Sequence, residues 1–231
     1  MLTMSRILLL LILTCCAGAW AEAPLRVAVA ANFRATLEHI NQAYRERGGP
    51  PIRVSSASTG VLATQIRHGA PFDLFFAADR HSVSTLQADG LGGESACYAL
   101  GQLALVGGTL GDLANPDKSL AIANPLAAPY GQAAAEVLAR PRFASAAGRQ
   151  PVRGASVLQA YQFWRAGGVD LALVAQSLAP EAQPIPRDWY SPLQQYLLVL
   201  RPSPAVGAYL QWLGSDTVRQ MIIDAGYQPC P

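Results

Sequence analysis

Short unbroken apolar runs alternate along this chain with stretches of helical period, and Gly, Pro, Ser and Asn fall between them. Leu25–Ala31 reads as a buried strand. The next stretch sets Phe33, Leu37, Ile40 and Tyr44 on one helical face, with Asn32 at the N-cap position. Ile52–Ala57 predicts a second strand and Val61–His68 a helix, which Gly69-Ala70-Pro71 ends. Asp73–Ala78 predicts a third strand, and Asp79 caps a helix running to about Ala88. Further on, Leu103–Val106, Leu120–Ala123, Val169–Ala175 and Gln194–Leu200 read as strands. Helices are predicted from Tyr130-Gly131 through Leu138 and over Ser156–Trp164. Two more close the chain, one marked by Tyr209, Leu210 and Leu213, the other by Val218, Met221, Ile222 and Ala225. Strands alternating with helices predict an α/β fold with mostly parallel, doubly wound sheet.

In such folds ligands bind beyond the carboxyl ends of strands, where helices begin. Four of these junctions carry small or hydroxylated residues: Ala31-Asn32, Ser58-Thr59-Gly60, Ala128-Pro129-Tyr130-Gly131 and Ala155-Ser156-Val157. Each offers first-turn N–H groups at the positive end of a helix dipole, which suits an anion. No basic residue stands at any of the four. The pattern fits a site that holds an anion with neutral donors.

Charge is sparse, 17 basic against 15 acidic residues in 231. That balance argues against nucleic acid, which needs a concentrated basic patch, and against an anionic membrane surface. Arg6, the apolar run Ile7–Leu13 and Ala19-Trp20-Ala21 have the layout of a signal peptide spanning 1–21, cleaved before Glu22. The run is far shorter than the roughly 20 residues of a spanning helix. Export to the periplasm follows, an oxidising compartment in which Cys97 and Cys230 pair as a disulfide or persist as buried thiols. Catalysis finds little support. His39, His68 and His81 lie away from the four junctions, and neither a Gly-x-Ser-x-Gly elbow nor a conventional zinc motif is present. Asp73 and Asp79 are explained by turns and capping.

At these junctions the sequence resembles the periplasmic molybdate-binding proteins of ABC transporters. The resemblance runs from about Leu25 to Gln228 and is carried by Val27–Phe33, Ser56–Leu62, Gln65-Ile66 and Gly69–Asp79. Ala123-Asn124-Pro125, Ala128–Gly131, Tyr190-Ser191-Pro192 and Gln194-Gln195 continue it. It implies a two-lobed, type II periplasmic-binding fold, with 22–98 plus 194–231 forming one lobe and 99–193 the other. It also implies an oxyanion ligand, molybdate or tungstate, held by Asn32, Thr59 with its neighbour Ser58, and the backbone N–H groups of Tyr130 and Val157. In one branch of the family a tyrosine hydroxyl adds a contact; the equivalent position here is Ala175. The expected protein is a monomer without cofactor, delivering its ligand to an ABC permease. The alternative is another anion, such as sulfate or a small organic acid, and a hydrolase ranks below both.

Overall fold

The computed structural model describes residues 24–230, so the predicted leader at 1–21 lies outside the described residues. Strand β1 (Leu25–Ala30) is apolar on both faces because both faces are covered. Val27 and Val29 face one core with Phe33, Leu37 and Ile40 of the next segment; Ala28 faces another with Leu62, Ile66, Val83 and Leu86. Helix α1 (Arg34–Glu46) follows, then β2 (Ile52–Ala57), α2 (Thr59–Arg67), β3 (Leu74–Ala77), α3 (Arg80–Ala88) and β4 (Ser95–Gly101). Asp79 caps α3, its carboxylate accepting from the Ser82 amide at 2.6 Å. Asn32 does not cap α1. Phe33 occupies the N-cap position without a side-chain bond, and the Asn32 side chain is drawn inward instead.

The chain then crosses to a second sheet through Gln102. Its elements are β5 (Leu103–Val106), β6 (Leu120–Ala123), α4 (Pro129–Leu138), β7 (Val152–Gly154), α5 (Val157–Arg165), β8 (Leu171–Ala175) and β9 (Gln183–Pro184). It returns as β10 (Leu193–Val199) and ends in α6 (Pro204–Leu213) and α7 (Asp216–Asp224). The sheets are ordered β2-β1-β3-β10-β4 and β7-β6-β8-β5-β9. In the first, β10 runs antiparallel to both neighbours while β2, β1 and β3 pair in parallel. In the second, β5 is the reversed strand and β7, β6 and β8 are parallel. The fold is therefore two-lobed, each lobe a mixed sheet flanked by helices with one strand against the rest. The reversed strands are the ones entered by crossing between lobes, so their direction follows from the route of the chain.

Two crossings converge near Gly101. A Cβ there would collide with the Tyr130 hydroxyl and Gln195 Nε2, so the second lobe packs against the first only over glycine. The C-terminal tail closes the same region. Gln228 pairs with Leu100, and Cys230 is disulfide-bonded to Cys97 on β4, 133 residues away. That bond pins the tail that carries Tyr227. Replacing both cysteines by serine is expected to lower unfolding free energy by about 2–4 kcal/mol, read from urea denaturation.

Candidate functional site

The carboxyl ends of β1, β2 and β3 and the starts of α2, α4 and α5 meet between the lobes around one small cavity. Ala30, Ala31, Asn32, Ser58, Thr59 and Ala78 line it from the first lobe; Ala128, Pro129, Tyr130 and Val157 line it from the second. All five residues singled out from the sequence are thus brought together: Asn32, Ser58, Thr59, Tyr130 and Val157. No charged side chain lines the cavity, nor does any of the three histidines.

The donors are unspent. The N–H groups of Thr59, Tyr130 and Val157 sit in the first turns of their helices, where helix geometry leaves them without an acceptor. No turn or loop carbonyl takes them, nor the Asn32 amide. The Ser58 hydroxyl is buried and has no hydrogen-bond partner in the structure. Thr59 differs from Ser58: its oxygen accepts from the Ala78 amide at 3.0 Å, which leaves only its proton to offer. Leaving a buried donor unmet costs about 1–3 kcal/mol, so this cluster is intelligible as a cradle for acceptors.

The lobes touch on both sides of the cavity. On one side the Gly60 amide donates to the Ala127 carbonyl at 2.9 Å. On the other, the Ser177 hydroxyl donates to the Asn32 carbonyl at 3.1 Å, and the Tyr227 hydroxyl donates to the same carbonyl at 2.8 Å. Behind Asn32 lies a buried polar cluster that sequence reasoning did not assign: Gln195, Tyr98, Tyr227 and Ser177. Asn32 Nδ2 donates to Gln195 Oε1 at 2.8 Å and to the Tyr227 hydroxyl at 3.1 Å. The available signal was Gln195 itself, a polar residue inside the apolar strand β10 and wholly buried.

Burial pushes the Tyr98 phenol well above its ordinary range, and Tyr227 and Tyr130 add to it. Tyr130 is raised in the same way by burial, then by Tyr227 and Tyr190, with Gln195 and Arg187 working against the shift. Tyr227 is raised by burial, and its hydrogen bonds with Ser177 and Asn32 only partly offset that. All three phenols therefore stay protonated and uncharged near neutral pH, so none of them repels an anion.

This is the build of a solute-binding protein: two lobes, a closed interlobe cavity and donors from both sides. The sequence profile of the bacterial extracellular solute-binding proteins matches residues 25–228, and the chain belongs to that family. The molybdate-binding protein ModA of Azotobacter vinelandii is 34% identical over 236 aligned positions, covering 93% of either chain. The molybdate-binding protein ModA of Rhodobacter capsulatus is 30% identical, covering 87% of this chain and 86% of its own. The solved periplasmic molybdate-binding protein of Azotobacter vinelandii superposes with a TM-score of 0.81 at 29% identity, over 90% of this chain and 100% of that one.

Two variants test the geometry directly. Thr59→Ala strands the buried Ala78 amide and is expected to cost about 1–3 kcal/mol of stability, whereas Ser58→Ala removes an unpartnered hydroxyl and leaves stability unchanged; thermal denaturation compares them. At Gly60 a Cβ would lie 3.0 Å from the Ala127 carbonyl oxygen. Gly60→Ala should therefore strain this interlobe contact and lower the unfolding free energy by about 1–3 kcal/mol, read from urea denaturation.

Proposed function

We propose that this chain is an exported solute-binding protein that captures molybdate or tungstate between its lobes and hands it to the permease of an inner-membrane ABC importer. The observation that carries this reading is a cavity lined only by neutral groups and rich in unspent donors. A tetrahedral oxyanion has acceptors alone, so a matching site offers donors alone. The cavity is small, with about 10 Å³ open to the centre of a water-sized sphere, against roughly 300–1,000 Å³ for typical organic-ligand pockets. So small a space disfavours an organic acid, and a compact inorganic oxyanion enters it only as the lobes part. The names of the two relatives that cover most of this chain point to molybdate.

Asn32, Ser58 and Thr59 contribute from the first lobe, and the amides of Tyr130 and Val157 from the second. Hydrogen bonds to a charged partner contribute about 1.5–3 kcal/mol each. Six would gross about 9–18 kcal/mol, against about 12 net for nanomolar binding. Lobe ordering and desolvation of the ion take part of that back. Lobe closure removes water and strengthens each contact by lowering the local dielectric. Sulfate shares the shape and charge, so selectivity rests on size: fixed backbone donors cannot all reach a smaller ion. The chain leaves β4 near Gln102 and enters β10 near Leu193, within a few residues of the bounds 22–98 plus 194–231 and 99–193, and these two crossings form the hinge. The protein acts by binding without catalysis, as a periplasmic monomer released by cleavage after Ala21.

Calorimetric titration of the mature protein with molybdate, tungstate, sulfate and phosphate tests the assignment. One-to-one binding of the first two with no heat from sulfate is expected, and equal or tighter sulfate binding would defeat it. Ser58→Ala and Asn32→Ala should each weaken molybdate binding by about 1.5–3 kcal/mol. No carboxylate, histidine or lysine lines the cavity, so affinity should stay flat between roughly pH 6 and 9; a titration step in that range would point to an ionisable ligand.

A further inference from the structure

The hydrogen bonds behind Asn32 run the wrong way for a dianion. Both protons of its amide are spent on Gln195 Oε1 and the Tyr227 hydroxyl, at 2.8 and 3.1 Å. Neither partner lines the cavity, whereas Asn32 does. The other end of that amide is an acceptor, which opposes an ion that is itself all acceptors. Gln195 is wholly buried; its Nε2 reaches the Leu193 carbonyl at a long 3.4 Å and lies beside the Tyr130 hydroxyl, to which it can only donate. Close by, the Tyr130 hydroxyl is buried without a partner, and it crowds the same face of Gly101 as Gln195 Nε2. One lobe thus holds a donor set turned inward, and the other holds a buried hydroxyl whose proton has no acceptor.

The oxygen and nitrogen ends of a side-chain amide have nearly the same shape, so turning one over changes the hydrogen bonds and not the packing. We propose that Gln195 is a positioning residue: on anion binding its amide and that of Asn32 turn over together. Gln195 Nε2 then donates to Asn32 Oδ1, and Asn32 Nδ2 is released to the anion. Gln195 Oε1 arrives where its Nε2 stood and accepts the Tyr130 hydroxyl proton from the second lobe. The turn gives up the long contact from Gln195 Nε2 to the Leu193 carbonyl, in exchange for the Tyr130 proton, and the other partners adjust. The Tyr98 hydroxyl gives up Gln195 Oε1 at 3.3 Å and keeps the Ala77 carbonyl at 3.5 Å. Tyr227 can redirect its single proton to Asn32 Oδ1, while Ser177 continues to donate to the Asn32 carbonyl. The inward set is suited to the empty site and the outward set to the filled one. Lobe closure and donor orientation are thereby linked through one residue on a strand that joins the lobes.

This inference rests on the oxyanion reading, and its test separates the two. Wild type, Gln195→Met, Asn32→Ala and the double variant are titrated with molybdate. Each single variant should weaken binding about ten- to a hundredfold, and the double variant should be no weaker than the weaker of the two singles. In nitrogen-15 spectra the Gln195 side-chain amide is identified by its loss in Gln195→Met, or in Gln195→Glu should the methionine variant not fold. That resonance should move when wild type is saturated with molybdate and stay in place when Asn32→Ala is saturated. A Gln195→Met variant as tight as wild type, losses that multiply in the double variant, or a Gln195 resonance that moves equally without Asn32 would each overturn the relay. Absence of molybdate binding by wild type would instead bring down the functional reading, and the relay with it.

Discussion

A buried dianion without a cation beside it demands that every group facing it be a donor, and most of this architecture follows from that demand. Backbone amides are the cheapest uncharged donors available, but in a folded chain they are almost always taken. Helix first turns are the exception, because their N–H groups have no intrahelical acceptor. Parallel strands feeding into helices deliver such turns to one edge of a sheet, and two lobes built this way can face each other across a ligand. The cavity here lies where α2, α4 and α5 begin, with Asn32 in the turn before α1.

The supporting structure serves the same end. Gly60 and Ala127 meet on one side of the cavity, and Ser177, Tyr227 and Asn32 meet on the other, so the donors from both lobes are held at fixed distances. Tyr227 stands on a tail that the Cys97–Cys230 bond and the Leu100–Gln228 pairing fasten to β4. Burial holds the phenols of Tyr98, Tyr130 and Tyr227 uncharged, which keeps the field inside the cleft free of negative charge. The hydroxyl of Tyr227 reaches the Asn32 backbone carbonyl from within the first lobe.

The central strands were legible because each is an apolar run covered on both faces, and Leu103–Val106 and Leu120–Ala123 have the bounds their sequences predict; Ile52–Ala57, an edge strand of mixed composition, has its predicted bounds too. The edge strands β4, β7 and β9 were not, since Ser95–Gly101, Val152–Gly154 and Gln183–Pro184 are short or partly exposed and lack a strong apolar pattern. The site's backbone donors were legible through the small and hydroxylated residues at strand ends. Side-chain direction was not. Asn32 has the composition of an N-cap, yet a partner 163 residues away turns it inward. Thr59 and Ser58 look interchangeable in sequence, and only the Ala78 amide distinguishes them. Gln195 and Tyr227 come near Asn32 through sheet order and a tethered tail, neither of which local pattern encodes.

The most direct measurement is a crystal structure of the mature protein grown with tungstate, with the metal located by anomalous scattering. The account predicts a single peak inside the interlobe cavity. Ser58 Oγ and the amides of Asn32, Thr59, Tyr130 and Val157 should lie within about 2.7–3.2 Å of the ion's oxygens, with no charged side chain in contact. A peak outside that cavity, or an arginine, lysine or carboxylate drawn in to meet the ion, would contradict it.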